Sequence, residues 1–463
     1  MNLWILTEEK PKASTIAQIL NLYCRDFGSS LLFVNRGIRI KPLIIDKGVF
    51  SFVYSVEGVQ VNGIKFINII TVSGSSSFLD FLVFRQDNPP VSGSADNLLM
   101  AIEETKTSDD ESRNTGVYQR GSKFVFIDSF SRSVKTYMLY NDELEAREEK
   151  KPSDTSIFGT NILLTIGVKI AGKGTDKWFG CFSSLDELVS FKDNMRKPPK
   201  GNVPIDITRY SDRIEISGRL AKPAEAGNIG HDPSIGALSM ISKCIRSLGW
   251  DKPIIITQHG VTQAYANRNK KNKFLYICSI LGLQMKGITL PIDISMPESY
   301  WHYEKSSEKV ASILLHVACE YYGVNGIYQN HAGCERGYFK TKNGRLIALP
   351  KKDSGGVENL YLPDLILYDD KTDAVVLVEG KKLSTLSAGI EEIKAYGGIE
   401  REYIKPNYPN TKVERWVSIF GGSKKGIPHE KVIFYLNDRG EIFVNEKAPV
   451  CVKKVFSNLL AGV

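Results

Sequence analysis

The sequence lacks several features that would place it in a special class. It has seven cysteines but no Cys-x-x-Cys pair, so neither a zinc site nor a disulfide framework is indicated. No apolar run approaches the length of a membrane span. The segment MNLWILTEEKPK meets acid and base after seven residues, which does not fit a signal peptide. We therefore expect a reduced, cytoplasmic protein.

Motifs of fixed spacing are also missing. No Gly-x-x-x-x-Gly-Lys-Ser/Thr loop occurs, which argues against ATP as a partner. The six histidines form neither an HNH nor a His-Glu-x-x-His spacing. The formal net charge of +8 is a modest basic excess spread along the chain. Such an excess permits a polyanionic partner but does not require one.

Shifts in composition suggest three ranges within the 463 residues. We predict an N-terminal domain over 1–155, a middle region over 156–298 and a C-terminal domain over 299–463. A charged stretch at 143–156 marks the first boundary, although a solvated loop inside one domain explains that stretch equally well. The segment PESYWHYEKSSE marks the second boundary.

Apolar periodicity predicts the local structure that carries the motifs. A period of 3.6 predicts helices, and short apolar runs predict strands. Asp232 and Pro233 supply an N-cap and a first helical residue for one of the helices. We expect helices over 10–23, 114–122, 233–248, 306–322 and 387–401, and strands over KFVFID (123–128), 336–349, 361–368, 374–380 and VERWVSIF (413–420).

Charged residues occupy the ends of two apolar strands in LPDLILYDDKTDAVVLVEGKK (362–382). Glu379 and Lys381 share one strand face, and Asp364 lies fifteen residues before Glu379. If the strands pair, the two carboxylates converge and repel each other unless a cation lies between them. Mg²⁺ prefers such oxygen ligands. The alternative is a surface salt bridge, which is common at strand ends.

The lysine completes a set of groups suited to phosphodiester hydrolysis. Lys381 can orient an attacking water, help to deprotonate it, or stabilise charge on a phosphate. A metal ion, an activated water and a phosphate clamp are the equipment for that reaction.

Pro363-Asp364 and Glu379-x-Lys381 resemble the motif of the PD-(D/E)XK nuclease superfamily, which includes most type II restriction endonucleases and the archaeal Holliday-junction resolvases. The resemblance implies a mixed central sheet flanked by helices. It also implies that Asp364 and Glu379 bind Mg²⁺ and that Lys381 assists the water. Glu308 resembles a further glutamate of some members, although an acid that compensates the helix dipole is the alternative.

A second copy of the pattern occurs near the N-terminus. Asp80 lies in an apolar run, and Glu104 and Lys106 end the next one, twenty-four residues later for Glu104. Leu79 replaces the proline of the motif. The resemblance implies a second centre in which Asp80 and Glu104 bind Mg²⁺ and Lys106 assists. The competing interpretation is a nuclease-like fold that lost its chemistry and only binds or scaffolds.

Polar and basic residues after the second copy and in the middle region are candidates for DNA contacts. A solvated surface is the alternative, above all for the cluster NRNKKNK (267–273). The candidates are Arg113, Asn114, Gln119, Arg120, Lys123, Arg268, Lys270, Lys271 and Lys273.

Together these patterns predict an α/β protein with two PD-(D/E)XK nuclease-like cores and an intervening α/β region that helps to read sequence. We expect a Mg²⁺-dependent type II restriction endonuclease of a restriction–modification system. It would act on double-stranded DNA as a monomer or homodimer, without ATP and without a membrane. The alternatives are a structure-specific repair or junction nuclease and a non-catalytic DNA-binding protein on degenerate nuclease folds.

Overall fold

The structure is a computed structural model, and it confirms the mixed α/β class. It describes the chain except for residues 35–36, 46–47, 75–78, 106–115, 132, 142–151, 173–176, 197–204, 220–232, 299–300, 306, 330–335, 351–359 and 463.

Strands, numbered in chain order, occur along the whole described chain. They are β1 (Asn2–Thr7), β2 (Leu31–Phe33), β3 (Arg39–Ile45), β4 (Val49–Glu57), β5 (Val59–Val61), β6 (Ile67–Thr71), β7 (Ser73–Gly74), β8 (Phe81–Gln86), β9 (Leu98–Thr105), β10 (Lys135–Tyr140), β11 (Lys169–Gly172), β12 (Ile205–Arg209), β13 (Ile214–Arg219), β14 (Ile254–His259), β15 (Leu283–Met285), β16 (Tyr303–Glu304), β17 (Asn325–Gln329), β18 (Arg336–Lys340), β19 (Leu346–Pro350), β20 (Leu365–Asp369), β21 (Ala374–Lys382), β22 (Lys412–Phe420), β23 (Val432–Leu436) and β24 (Ile442–Val444).

Helices connect these strands. They are α1 (Ala13–Phe27), α2 (Gly116–Phe130), α3 (Asp154–Thr165), α4 (Leu185–Asn194), α5 (Pro233–Ser247), α6 (Gln263–Arg268), α7 (Lys273–Ile280), α8 (Lys309–Tyr321), α9 (Leu386–Glu392), α10 (Gly397–Ile399), α11 (Lys405–Asn407) and α12 (Val450–Ala461). Helices α9 to α11 alternate with 3₁₀ turns at Leu383–Thr385 and Ile393–Tyr396 and a π turn at Glu400–Ile404, and we call this run the helical segment 383–407.

Contacts divide the described chain into two compact units. Unit 1 consists of Met1–Ser73, Arg85–Pro90 and Glu304–Val463, and unit 2 consists of Gly74–Phe84 and Val91–Tyr303. These units do not decide the three domain ranges predicted from composition. Those ranges therefore stay predictions.

Unit 1 contains a sheet whose strand order is β17-β20-β21-β22-β23-β24. Strand β20 pairs antiparallel with β21, whereas β22 and β23 continue the sheet parallel to β21. Strand β20 is buried throughout, and β21 is buried until Gly380. Helix α8 packs across β21, β22 and β23. The predicted buried strand that ends in charged residues is confirmed.

Unit 2 contains the strand order β8-β9-β10-β11 and a second sheet ordered β12-β13-β14-β15. Strand β8 pairs antiparallel with β9, and β10 and β11 follow parallel to β9. Helix α2 leads from β9 to β10 and packs on α5. The predicted helix over 233–248 is confirmed as α5.

The stretch KFVFID forms part of helix α2, so the strand predicted there is wrong. Its residues Phe124, Val125, Phe126 and Ile127 are all buried. Most residues of α2 are buried, so its few partly exposed polar residues give only a weak amphipathic signal at a period of 3.6. Aromatic and β-branched residues then imitate a strand in the sequence.

None of the helices in the described ranges combines the length and apolar character that crossing a membrane requires.

Candidate active site

The pairing of β20 with β21 brings the predicted C-terminal residues together. Leu365 pairs with Val378, so Asp364, one residue earlier, lies opposite Glu379 at the end of the ladder. Cross-strand partners project to the same face of a sheet, and Lys381 follows on that face two residues later. The interior of the sheet thus holds the apolar residues, and its edge presents the charged ones.

The backbone of β21 fixes the aspartate. The Gly380 N–H donates to Oδ2 of Asp364 at 2.9 Å. A Cβ atom at Gly380 would lie 3.0 Å from that same oxygen and 3.0 Å from Oγ of Ser312 on helix α8. Any larger residue would have to displace one of them. This close approach explains why glycine separates the glutamate from the lysine.

Side chains from two elements hold the glutamate. Lys381 Nζ donates to Oε1 of Glu379 at 2.8 Å, and the hydroxyl of Tyr396 donates to Oε2. Glu379 is only 6% exposed. Lys381 also pairs with Oε2 of Glu392 on helix α9, at 2.8 Å. Both Tyr396 and Glu392 belong to the helical segment 383–407. That segment therefore positions Glu379 and Lys381.

The pKa values of both carboxyl groups are raised. Burial raises the pKa of Glu379 to about 8, the charge of Asp364 adds to the rise, and the bonds from Lys381 and Tyr396 oppose it. Burial also raises the pKa of Asp364, against the Gly380 N–H and the charges of Lys309 and Lys381. A cation between the two groups would remove this cost.

The lysine is held in its charged form. Burial lowers the pKa of Lys381, but its bonds to Glu379 and Glu392 raise that pKa by more, so the value lies above the ordinary one. At neutral pH the side chain is therefore an ammonium group. It can donate hydrogen bonds but has no lone pair with which to accept a proton.

A small cleft in unit 1 opens beside Asp364. It offers about 20 Å³ to water-sized molecules, enough for one ordered water. The charge of Glu308, which precedes helix α8, raises the pKa of Asp364, so this weaker candidate lies near the site. The lining residues are Glu8, Glu9, Lys309, Ser312, Ile313, His316, Gln329, Asp364 and Leu365.

The donor set fits a hard divalent cation. Mg²⁺ is commonly bound through one or two carboxylates and keeps several waters. Asp364 and Glu379 supply two such groups, and their repulsion is what a cation would relieve. Among the residues that the structure describes, no group of three or more His, Cys, Asp or Glu side chains could hold a metal by itself. A site built on two carboxylates is consistent with that finding.

The predicted N-terminal residues are only partly brought together. Asp80 Oδ2 accepts the N–H of Glu104 at 2.7 Å. The Glu104 carboxylate accepts instead from Nδ2 of Asn141, at 2.6 Å, and is buried. Lys106 lies outside the described residues. The charge of Asp80 acts on Glu103, one residue before the predicted glutamate.

Glu103 is enclosed by cations from helix α2. Its side chain is 1% exposed, Lys123 Nζ lies 2.5 Å from Oε1, and Arg120 Nε lies 3.7 Å from Oε2. Burial raises the pKa of Glu103 to about 7, with Asp80 adding to the rise and Lys123 and Arg120 opposing it. Sequence reasoning did not select Glu103, and it considered Lys123 only as a candidate for DNA contacts, not as a partner of a glutamate.

The basic candidates for DNA contacts separate into three groups. Arg113 and Asn114 lie outside the described residues, and Gln119 belongs to α2 like Arg120. Three candidates of the cluster at 267–273 have exposed side chains, namely Arg268, Lys270 and Lys271, and Lys270 pairs with Asp293 at 2.5 Å. The fourth, Lys273, is only 7% exposed, and burial lowers its pKa to about 7. Lys273 therefore does not share the exposed surface of the other three.

No protein-family model matches the chain, and no curated protein matches it in sequence.

The raised pKa values predict how stability depends on pH. Glu379 and Glu103 have pKa values of about 8 and about 7, against an ordinary 4.5. Between these limits the folded protein keeps protons that the unfolded chain has released. The free energy of unfolding of the metal-free protein should therefore fall as pH rises through this window.

Urea unfolding in EDTA at about pH 5.5 and about pH 8 measures this dependence. Because glutamine cannot titrate, the double variant Glu103→Gln/Glu379→Gln should have a flatter profile. A wild-type stability that rises with pH across this window would contradict the assignment.

Proposed function

We propose that the protein is a Mg²⁺-dependent endonuclease of double-stranded DNA, of the type II restriction class, with two cores of the PD-(D/E)XK kind. The observation that carries this proposal is the meeting of Asp364, Glu379 and Lys381 at the ends of two paired core strands. Nothing in a structural salt bridge requires a second carboxylate, Asp364, whose charge raises the pKa of the buried Glu379. A site that receives a divalent cation and a phosphate does require such a pair.

Each residue has a defined role in this proposal. Asp364 and Glu379 would hold Mg²⁺, which when bound polarises a phosphoryl oxygen and lowers the pKa of a bound water. Gly380 and Tyr396 are positioning residues, because the former holds the aspartate through its N–H and the latter holds the glutamate through its hydroxyl.

The ammonium group of Lys381 would act by donating hydrogen bonds. Its raised pKa excludes a role as general base while both acidic partners are ionised. It can orient the attacking water and stabilise the charge that develops on the phosphate. Glu392 pairs with the same ammonium group and so helps to hold it near Glu379.

Range 156–298 would contribute to sequence recognition. The exposed side chains of Arg268, Lys270 and Lys271 support contacts to the DNA backbone there. Such contacts position the protein on the duplex, and base-edge contacts then specify the sequence.

A plasmid digestion tests the proposal. Wild-type protein is incubated with supercoiled plasmid and Mg²⁺, and with EDTA in place of Mg²⁺ as the control. Discrete fragments that appear only with Mg²⁺ are expected. Cutting that requires branched or damaged DNA would replace the proposal with a repair or junction nuclease. DNA binding without any cutting would leave a binding protein on degenerate nuclease folds.

A further inference from the structure

Two regions of the described chain share one strand arrangement. In unit 1, β20 pairs antiparallel with β21, which is followed by parallel β22 and β23. In unit 2, β8 pairs antiparallel with β9, which is followed by parallel β10 and β11. Helical residues join the second strand to the third in both, as the segment 383–407 in unit 1 and as α2 in unit 2.

The strand registers of the two regions match at the end of each ladder that carries the charged residues. Phe81 pairs with Ile102, so Asp80 lies opposite Glu103, just as Asp364 lies opposite Glu379. Successive residues of a strand project to opposite faces of the sheet. Glu104 therefore projects to the other face from Glu103.

An equivalent hydrogen bond in each unit supports the alignment of the registers independently. Asp364 Oδ2 accepts the N–H of Gly380, which is the residue directly after Glu379. Asp80 Oδ2 accepts the N–H of Glu104, which is the residue directly after Glu103. Each aspartate thus accepts a hydrogen bond from the equivalent backbone N–H of the second strand.

The same alignment puts Thr105 where unit 1 has Lys381. The hydroxyl of Thr105 donates to the carbonyl oxygen of Leu139 at 3.2 Å, so it serves the sheet. The ammonium group comes instead from helix α2. Lys123 Nζ lies 2.5 Å from Glu103 and its side chain is 13% exposed, close to the 2.8 Å and 15% of Lys381 beside Glu379.

We propose that the second centre of this chain consists of Asp80, Glu103 and Lys123, which would bind a divalent cation and one phosphodiester group. Arg120 is a further cation on this side of Glu103. Glu104, held by Asn141 on the other face, is a structural residue. This inference rests on the proposed function, and it replaces Glu104 and Lys106 in the predicted second centre.

Adjacent glutamates give a matched pair of variants. Full-length Glu103→Gln and Glu104→Gln differ by one position in the strand and by the face that they occupy. Mn²⁺ binding, measured by calorimetry, should give two sites for the wild type, one for Glu103→Gln and two for Glu104→Gln. On plasmid, Glu103→Gln should nick, with cutting of one strand reduced by about 10³-fold, whereas Glu104→Gln should linearise.

A second variant keeps the test decisive if Glu103→Gln fails to fold. Asp80→Asn retains an oxygen for the Glu104 N–H, and Asp80 is only partly buried. It should lose the same Mn²⁺ site while its thermal unfolding stays near that of the wild type. Lys123→Gln should reduce the rate of cleavage of the same DNA strand by about 10²-fold or more.

The outcomes separate this inference from the proposed function. Two Mn²⁺ sites in Asp80→Asn and in Glu103→Gln, or loss of a site in Glu104→Gln, would overturn the inference. If the wild type cuts no DNA but Glu103→Gln still loses one of two Mn²⁺ sites, the cation site stands and the nuclease proposal fails. A purely structural Glu103 would change thermal stability alone.

Discussion

The Asp364→Asn variant should nick plasmid DNA instead of linearising it, with cutting of one strand reduced by about 10³-fold or more. The reason is that the amide lacks the charge that a divalent cation requires at this position. The amide oxygen can still accept the Gly380 N–H, so the end of the β20–β21 ladder should stay in place. DNA binding in the absence of Mg²⁺ should therefore be retained.

Stability gives a second readout that a structural role would not produce. Asp364 raises the pKa of its neighbour Glu379, so removing its charge should make the metal-free protein at least as stable as the wild type near pH 8. A loss of activity combined with unchanged or increased stability is typical of a group kept for function.

A matched control lies six residues along the chain. Asp370 is exposed at the turn after β20, and Asp370→Asn should linearise plasmid at the wild-type rate. Linearisation at the wild-type rate by Asp364→Asn would show that Asp364 and the Glu379–Lys381 ion pair are structural.

The sequence contained enough information to predict the first site because every part of it is local. A short apolar run with a period of two predicts a buried strand, and residues at fixed offsets from its end share a face. Asp364 and Glu379 belong to consecutive strands, so a single hairpin brings them together. The α/β class and helices α5 and α8 were predictable for the same reason, because each has an amphipathic stripe.

The second site could not be predicted in the same way, because either of two adjacent glutamates could face Asp80. Glu103 and Glu104 are adjacent, and only Glu104 has a lysine two residues later, so the motif selects Glu104. Which glutamate faces Asp80 depends on the pairing of β8 with β9, and a shift of one residue reverses every side chain. That register is a tertiary property, and spacing alone does not contain it.

Partners from distant helices were also beyond sequence reasoning. Lys123 lies in KFVFID, which reads as a strand, so the sequence predicted a DNA contact for it but not its place on helix α2 beside Glu103. Tyr396 and Glu392 gave no signal beyond their place in a predicted helix. A buried tyrosine hydroxyl needs a hydrogen-bond partner, which is the one general rule that could have drawn attention to Tyr396.

Asp80→Asn and Asp364→Asn should nick opposite strands of one recognition sequence, and the variant that combines them should cut neither strand. Cutting a duplex requires hydrolysis of two antiparallel strands. An enzyme with one centre usually meets this need as a two-fold dimer, whose symmetry favours a palindromic site. Two different centres in one chain remove that need, so each can serve a fixed strand of an asymmetric sequence.

The two centres differ in structure, so a DNA strand that fits one centre should not fit the other equally well. Their ammonium groups come from different elements, since Lys381 lies on the strand itself and Lys123 lies on a helix. The residue after the glutamate also differs between the two centres. In unit 1 it is Gly380, which lies close to Ser312, and in unit 2 it is Glu104, whose carboxylate accepts a hydrogen bond from Asn141. A strand bound by one centre would therefore not meet the same surroundings in the other.

Sequencing the nicked products of each variant on a substrate with one site decides the matter, with Glu104→Gln as the control that should still cut both strands. Nicks on one fixed strand for Asp80→Asn, and on the other for Asp364→Asn, are expected. Linearisation by Asp80→Asn at the wild-type rate would instead mean that a dimer uses the C-terminal centre twice. The core of unit 2 would then be a recognition scaffold, and the recognition sequence of such a dimer should be palindromic.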